Sequence, residues 1–168
     1  AILLPTWLPP AIGNYKRKAK AMLDERGITD YILNTFDGVE SMQNFGYTFF
    51  FYGAERMLPF ATIAATGNEY ERISQLDRPG VFRLNLGVSK ATFQALFGTD
   101  KVDVSTYDFT ALDTMMPHPD YAAQSFICVL NPSDATFQAL QPLLAEAYGL
   151  AVKRAQRKPT DTQSSSIS

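Results

Sequence analysis

The hexapeptide Tyr47-Thr48-Phe49-Phe50-Phe51-Tyr52 constrains the fold of this chain more than any other segment. Successive side chains of a strand point to opposite faces, so a run that is apolar at both parities needs cover on both sides. The expectation is a strand central in its sheet. Val39 to Gln43 precedes it across the Asn44–Gly46 turn, Phe60 to Thr66 follows beyond Pro59, and Val81 to Gly87 and Ser125 to Leu130 complete the β-type segments. Short connections between the first three favour an antiparallel meander.

Helical signals surround these strands. Asn14 is placed to cap a helix through Arg26, with Tyr15, Ala19, Met22 and Leu23 on one face and Gly27 as its stop. Thr29 then caps a short helix carrying Tyr31, Ile32 and Phe36, closed at Asp37-Gly38. Ser89 caps a third helix through Phe97, ending at Gly98. A terminal helix begins at Ser133 or Asp134 and carries Phe137, Leu140, Leu144, Ala147, Tyr148 and Ala151, with Pro142 set to kink or restart it. The predicted class is α+β: a five-stranded, mainly antiparallel sheet with helices on one face, plus an N-terminal arm and helix.

A chain of 168 residues, 46% hydrophobic, can bury one core and not two. Residues 1–13 read as an extended apolar arm containing Leu3, Leu4, Trp7 and Leu8, suited to lie against the domain or a partner protein. Residues 14–157 form the domain, and 158–168 a polar tail too poor in apolar surface to order itself. The single Cys128 excludes an internal disulfide and suits a reducing, cytoplasmic setting. No stretch approaches the roughly 18 apolar residues of a membrane span. Neither a GxGxxG nor a phosphate-binding loop occurs, and no His/Cys/Asp/Glu group has metal-ligand spacing, so no cofactor or metal is expected.

The net charge of −2 conceals a segregation. Lys16, Arg17, Lys18, Lys20 and Arg26 precede Ile28, and Lys153, Arg154, Arg157 and Lys158 follow Leu150. Between those limits 6 basic residues face 14 acidic ones, a body of about −8. Such a body disfavours nucleic acid, which would have to bind through the basic ends. Solvated helix faces are the plainer reading of those ends.

Two places concentrate chemistry. In Val81–Gly87 the apolar residues Phe82, Leu84 and Leu86 point one way, and Arg83 and Asn85 the other. An arginine in an otherwise apolar strand demands a partner, either a ligand anion or an internal carboxylate such as Asp77, Asp108 or Asp113. The sole histidine, His118, is locked between Pro117 and Pro119 in an irregular stretch from Thr99 to Ala123. It is either a titrating group or a rigid loop corner hydrogen-bonded to a carbonyl or to Asp113 or Asp120. Asp108, Asp113 and Asp120 lack calcium-loop spacing. Ser89 lacks a nucleophile elbow, and Cys128 alternates with apolar neighbours as a packed thiol would.

The run LDRPGVFRLNLGVSKATFQALFG, with MLPFATIAATGNEY, DFTALDTMMPHPDYA and FICVLNPS, resembles the family catalogued as domain of unknown function 6194, over about residues 29 to 154. The resemblance implies relatives and no reaction; its pattern falls on Arg83, Asn85, Asp113, His118 and Tyr121. The element order is also similar to the α-β5-α arrangement of the MmcQ/YjbR-like group, whose fold has been associated with DNA binding. The acidic body opposes carrying that activity over.

The preferred expectation is a non-enzymatic domain binding a small anionic or carbonyl-bearing ligand between Arg83, Asn85, His118 and Tyr121. An enzyme would use His118 as general acid/base, Asp113 to orient its ring and Arg83 to stabilise negative charge. No nucleophile or cofactor motif accompanies that set.

Overall fold

The computed structural model describes residues 23–54, 56–66 and 71–157. Their order is α1 (Glu25–Thr35), β1 (Val39–Asn44), β2 (Tyr47–Tyr52), β3 (Ala61–Ala64), β4 (Arg83–Gly87), α2 (Lys90–Phe97), β5 (Met116–Pro117), β6 (Phe126–Leu130) and α3 (Asp134–Gln156). The strands form one open antiparallel sheet in the spatial order β1-β2-β3-β4-β6-β5. The fold is α+β with three helices among the described residues.

The sheet has six strands, correcting the expected five. The extra one, β5, contributes only Met116 and Pro117, opposite Cys128 and Ile127, inside the stretch read as irregular. Two residues carry no periodicity, and a proline is tolerated because β5 is an edge strand. The arm 1–13, the tail 158–168 and the predicted first helix up to Met22 lie outside the described residues.

The first described helix also departs from expectation. Instead of one helix ending at Gly27 and another starting at Thr29, α1 runs unbroken from Glu25. Asp24 caps it, its Oδ1 accepting from the Gly27 amide at 2.8 Å, so the glycine sits in the first turn rather than past the last. Likewise α3 neither restarts nor ends at Pro142. The buried stripe Leu140, Leu144, Ala147 and Ala151 holds the segments before and after the proline to the same sheet.

Those stripes make the main core. Ile28 and Ile32 of α1 and Phe137, Leu140 and Leu144 of α3 cover Phe50, Ile63, Leu84, Leu86, Ile127 and Val129 on one face of the sheet. Each such burial contributes roughly 1.5–3 kcal/mol before conformational entropy is subtracted. Ser89 caps α2 by accepting from the Thr92 amide, and Gly98 closes it in the left-handed region at φ 76°. Glu146 of α3 fixes that cap from outside, Oε1 accepting from the Ser89 amide at 2.7 Å and Oε2 from the Thr92 hydroxyl at 2.8 Å.

Among the described residues no α-helix packs on the opposite face. Leu76, Val81 and Phe109, from two irregular segments, pack there on Met116, Cys128 and Leu130. Arg78 ties the segments together by donating to the carbonyls of Ser74, Gln75 and Thr110 at 3.0–3.1 Å. β2 is second from the edge rather than central: Phe50 is fully buried beneath the helices, and on the other face Phe51 is buried too, while Tyr47, which touches the second cluster, and Phe49 are half-buried. The second apolar face of the hexapeptide borders an open trough, which is the feature the candidate site is built on. No described helix is long and apolar enough to cross a membrane.

Candidate functional site

Strand register assembles the site. Arg83, Asn85 and Gly87 share the helix-free face of β4; Thr62 and Ala64 of β3 stand beside Asn85 and Arg83, and Cys128 and Leu130 of β6 on the other side. On this face lies a cavity of about 670 Å³. Thr62, Arg83, Asn85 and Gly87 line its floor, Tyr47, Phe49 and Phe126 its aromatic walls, and Met57, Leu58 and Pro59 one rim. His118, Asp120, Tyr121 and Gln124 form the other rim, and Leu150 and Arg154 of α3 also line the cavity.

Arg83 is 1% exposed and its partner is Glu71, 4% exposed. The fork is bidentate: Nη1 donates to Oε1 at 3.1 Å and Nη2 to Oε2 at 2.8 Å. Nη1 also reaches the Ser74 hydroxyl at 2.8 Å, and Nε reaches Oδ1 of Asn85 at 2.9 Å. Asn85 in turn donates through Nδ2 to Oγ1 of Thr62 at 3.0 Å. The internal carboxylate anticipated for Arg83 is therefore Glu71, not Asp77, Asp108 or Asp113. Two buried opposite charges with this geometry satisfy each other, and they pin the segment after residue 70 to the sheet.

His118 is 5% exposed. Its amide donates to the Phe126 carbonyl at 2.9 Å, continuing the β5–β6 ladder, and Pro119 then turns the chain back on the ring. Nδ1 accepts from the amides of Asp120 at 3.0 Å and Tyr121 at 3.1 Å. A nitrogen that accepts twice carries no proton, so the proton resides on Nε2. Nε2 makes no hydrogen bond to the described residues and is not sealed from the cavity. Burial, with a smaller contribution from the charge of Arg83, pushes the imidazole pKa down to about 3. The ring is thus a neutral donor held at the trough wall.

Tyr121 is 55% exposed and stacks obliquely on that ring, centroids 4.9 Å apart; Phe126 approaches both edge-on, at 6.4 Å from His118 and 6.2 Å from Tyr121. Gly87 makes room for Phe126: a Cβ there would lie 2.9 Å from two atoms of the ring. Its φ is not positive, so the space above it, and not the backbone, requires glycine.

Of the predicted residues, Arg83, Asn85, His118 and Tyr121 come together on this trough. Asp113 does not: its Oδ1 accepts from the Ser133 amide at 2.7 Å, a bond that lowers its pKa and ties the loop to the start of α3. Backbone amides take the place it was assigned beside His118. Asp108 accepts from Thr110, and Cys128 is buried with its thiol pKa pushed up to about 12 by burial. No group of three metal-ligating side chains occurs among the described residues. Of the basic ends, Arg26 lies in α1 and Lys153, Arg154 and Arg157 at the end of α3; Lys16, Arg17, Lys18, Lys20 and Lys158 fall outside the described residues.

Sequence reasoning missed Glu71, Ser74, Thr62, Gly87 and Phe126. Gly87, a glycine inside a strand of ordinary geometry, was the available signal for close approach. Glu71 carries no local signal, because only the fold brings it to Arg83.

Residues 23–160 match the family described as "Family of unknown function (DUF6194)", and the chain belongs to it. No curated protein and no solved structure matches the chain.

Two consequences can be measured. Removing one member of a buried ion pair strands the other, so Arg83→Met or Glu71→Met alone is expected to cost about 3–5 kcal/mol in urea denaturation. The double variant Arg83→Met/Glu71→Met should cost less than Arg83→Met, and additive losses would contradict a coupled pair. The second concerns pH. The unfolded imidazole titrates near 6.5 and the folded one near 3, so between those values the unfolded state binds the extra proton and stability falls as pH falls. With no other histidine in the chain, about 2 kcal/mol should be lost between pH 7.5 and 5, and His118→Asn should flatten that slope.

Proposed function

We propose that this chain is a small-molecule-binding domain whose ligand lies in the trough and accepts a hydrogen bond, through a carbonyl or carboxylate oxygen, from Nε2 of His118. The observation that carries this reading is the pair of backbone amides aimed at Nδ1. Two backbone amides fix Nδ1 as an acceptor and leave a largely desolvated N–H beside a cavity of about 670 Å³. An N–H of this kind is stabilised when a ligand oxygen replaces sparse water. Tyr47, Phe49 and Phe126 supply apolar contact, while Asn85 and Thr62 form a polar floor.

The same geometry disfavours general acid/base chemistry at His118. A base with a pKa near 3 is too weak to take a proton effectively at neutral pH, and no carboxylate orients the ring. Binding without turnover is therefore the reading adopted. A cytoplasmic, reducing setting belongs to the same proposal, supported by the lone buried cysteine. So does an MmcQ/YjbR-like arrangement, supported by the order helix, antiparallel sheet, long helix.

The test is a fragment screen by two-dimensional amide NMR on the full chain, using ketones, amides and carboxylates of ring-sized skeletons. Binders should move the amides of Asp120, Tyr121 and Phe126. His118→Asn should weaken their binding by about tenfold, because the shorter amide keeps an acceptor near Nδ1 but has no group at Nε2. Hits that bind elsewhere, or that bind His118→Asn unchanged, would remove the proposal.

A further inference from the structure

The ionisable groups of the trough bear on the charge of its ligand. Among the described residues its lining contains two acidic side chains, Glu71 and Asp120, and two basic ones, Arg83 and Arg154. The basic group nearest His118 is not available to an incoming anion: both terminal nitrogens of Arg83 are engaged by Glu71, and its Nε by Asn85. A ligand carboxylate at this end would compete with a carboxylate already in bidentate contact, and would sit close to it. The donor that does remain, Nε2–H of His118, is uncharged.

Nor does the field at the His118 rim help an anion. The chain between Ile28 and Leu150 carries about −8, and Asp120 stands exposed on the rim whose backbone amide holds the imidazole. Moving a carboxylate from water to a site whose donor at the His118 end is neutral leaves much of its hydration uncompensated there, whereas a carbonyl oxygen has far less hydration to lose. The wall chemistry adds a shape requirement. Gly87 lets the Phe126 ring approach β4 closely, so the trough has aromatic rings on two sides, the stacked Tyr47 and Phe49 on one and Phe126 with the His118–Tyr121 pair on the other. A Cβ at residue 87 would drive that ring upward into the space a ligand needs.

We propose that the trough selects an uncharged, flat ring compound bearing a carbonyl or amide oxygen, rejects the corresponding carboxylate, and owes its depth to Gly87. The proposal rests on the binding reading above and specifies its ligand class. Charge selection follows from the self-neutralised Arg83–Glu71 pair, and depth from the 2.9 Å approach of Phe126 to the missing Cβ.

Two probes of matched shape separate the claims: 2-naphthamide and 2-naphthoate, titrated at pH 7 into the full chain and followed by amide NMR. The amide should shift resonances of His118, Tyr121 and Phe126 and bind at least about tenfold more tightly than the carboxylate. His118→Asn should weaken the amide by about tenfold while leaving the already weak carboxylate little changed. Gly87→Ala should weaken the amide without altering the chemical shifts of α1 or α3, which checks that the variant is folded. Equal or tighter binding of naphthoate at the trough would overturn charge selection while leaving the binding reading intact. Undiminished amide binding by Gly87→Ala would overturn the depth assignment. Absence of trough shifts with either probe at millimolar concentration would remove the ligand class and the binding reading together.

Discussion

A guanidinium 1% exposed in a β-sheet is tolerable only if something neutralises it, and in this chain the burden falls on Glu71. The partner lies 12 residues before Arg83, so the segment between β3 and β4 must fold back across the sheet to deliver it. That requirement shapes the helix-free face. The returning segment brings Ser74 to the fork, Leu76 to the second hydrophobic cluster and Arg78 to the Thr110 carbonyl. It covers the β4–β6 end of the face, and the trough lies beside that cover, toward Phe49.

The pair also sets the chemistry of the trough. With its own charge balanced, Arg83 orients Asn85 and Asn85 contacts Thr62, giving a floor of neutral dipoles over a fixed ion pair. The residual field of the guanidinium adds to burial in keeping His118 neutral. The proline-flanked turn then fixes which nitrogen bears the proton, by aiming two amides at Nδ1. Charge, tautomer and orientation are each fixed in advance, which reduces the reorganisation that a ligand must induce.

Legibility from sequence follows the range of the interaction. The Ser89 cap, the Gly98 stop and the buried stripe of α3 are encoded within a few residues, and each appears where local rules put it. The polar face of β4 was readable from alternation, as was the need of Arg83 for a partner. The partner's identity was not, because Glu71 sits in a polar segment with no pattern and only β-sheet register makes it a neighbour. Asp113 misled for a related reason: a carboxylate near a histidine in sequence was read as its partner, while a left-handed backbone at φ 53° accompanies its contact with Ser133 instead. For the hexapeptide, periodicity reports an apolar surrounding and cannot distinguish packed side chains such as Phe50 and Phe51 from the cavity wall formed by Tyr47 and Phe49.

The central claim is that His118 is a neutral donor whose proton sits on Nε2. A long-range 1H–15N correlation spectrum of the full chain reports its only imidazole directly. The structure predicts a single neutral tautomer at pH 7, with Nε2 protonated and Nδ1 bare, unchanged on acidification to about pH 5. A proton on Nδ1 at pH 7, or conversion to the imidazolium by about pH 6, would contradict it.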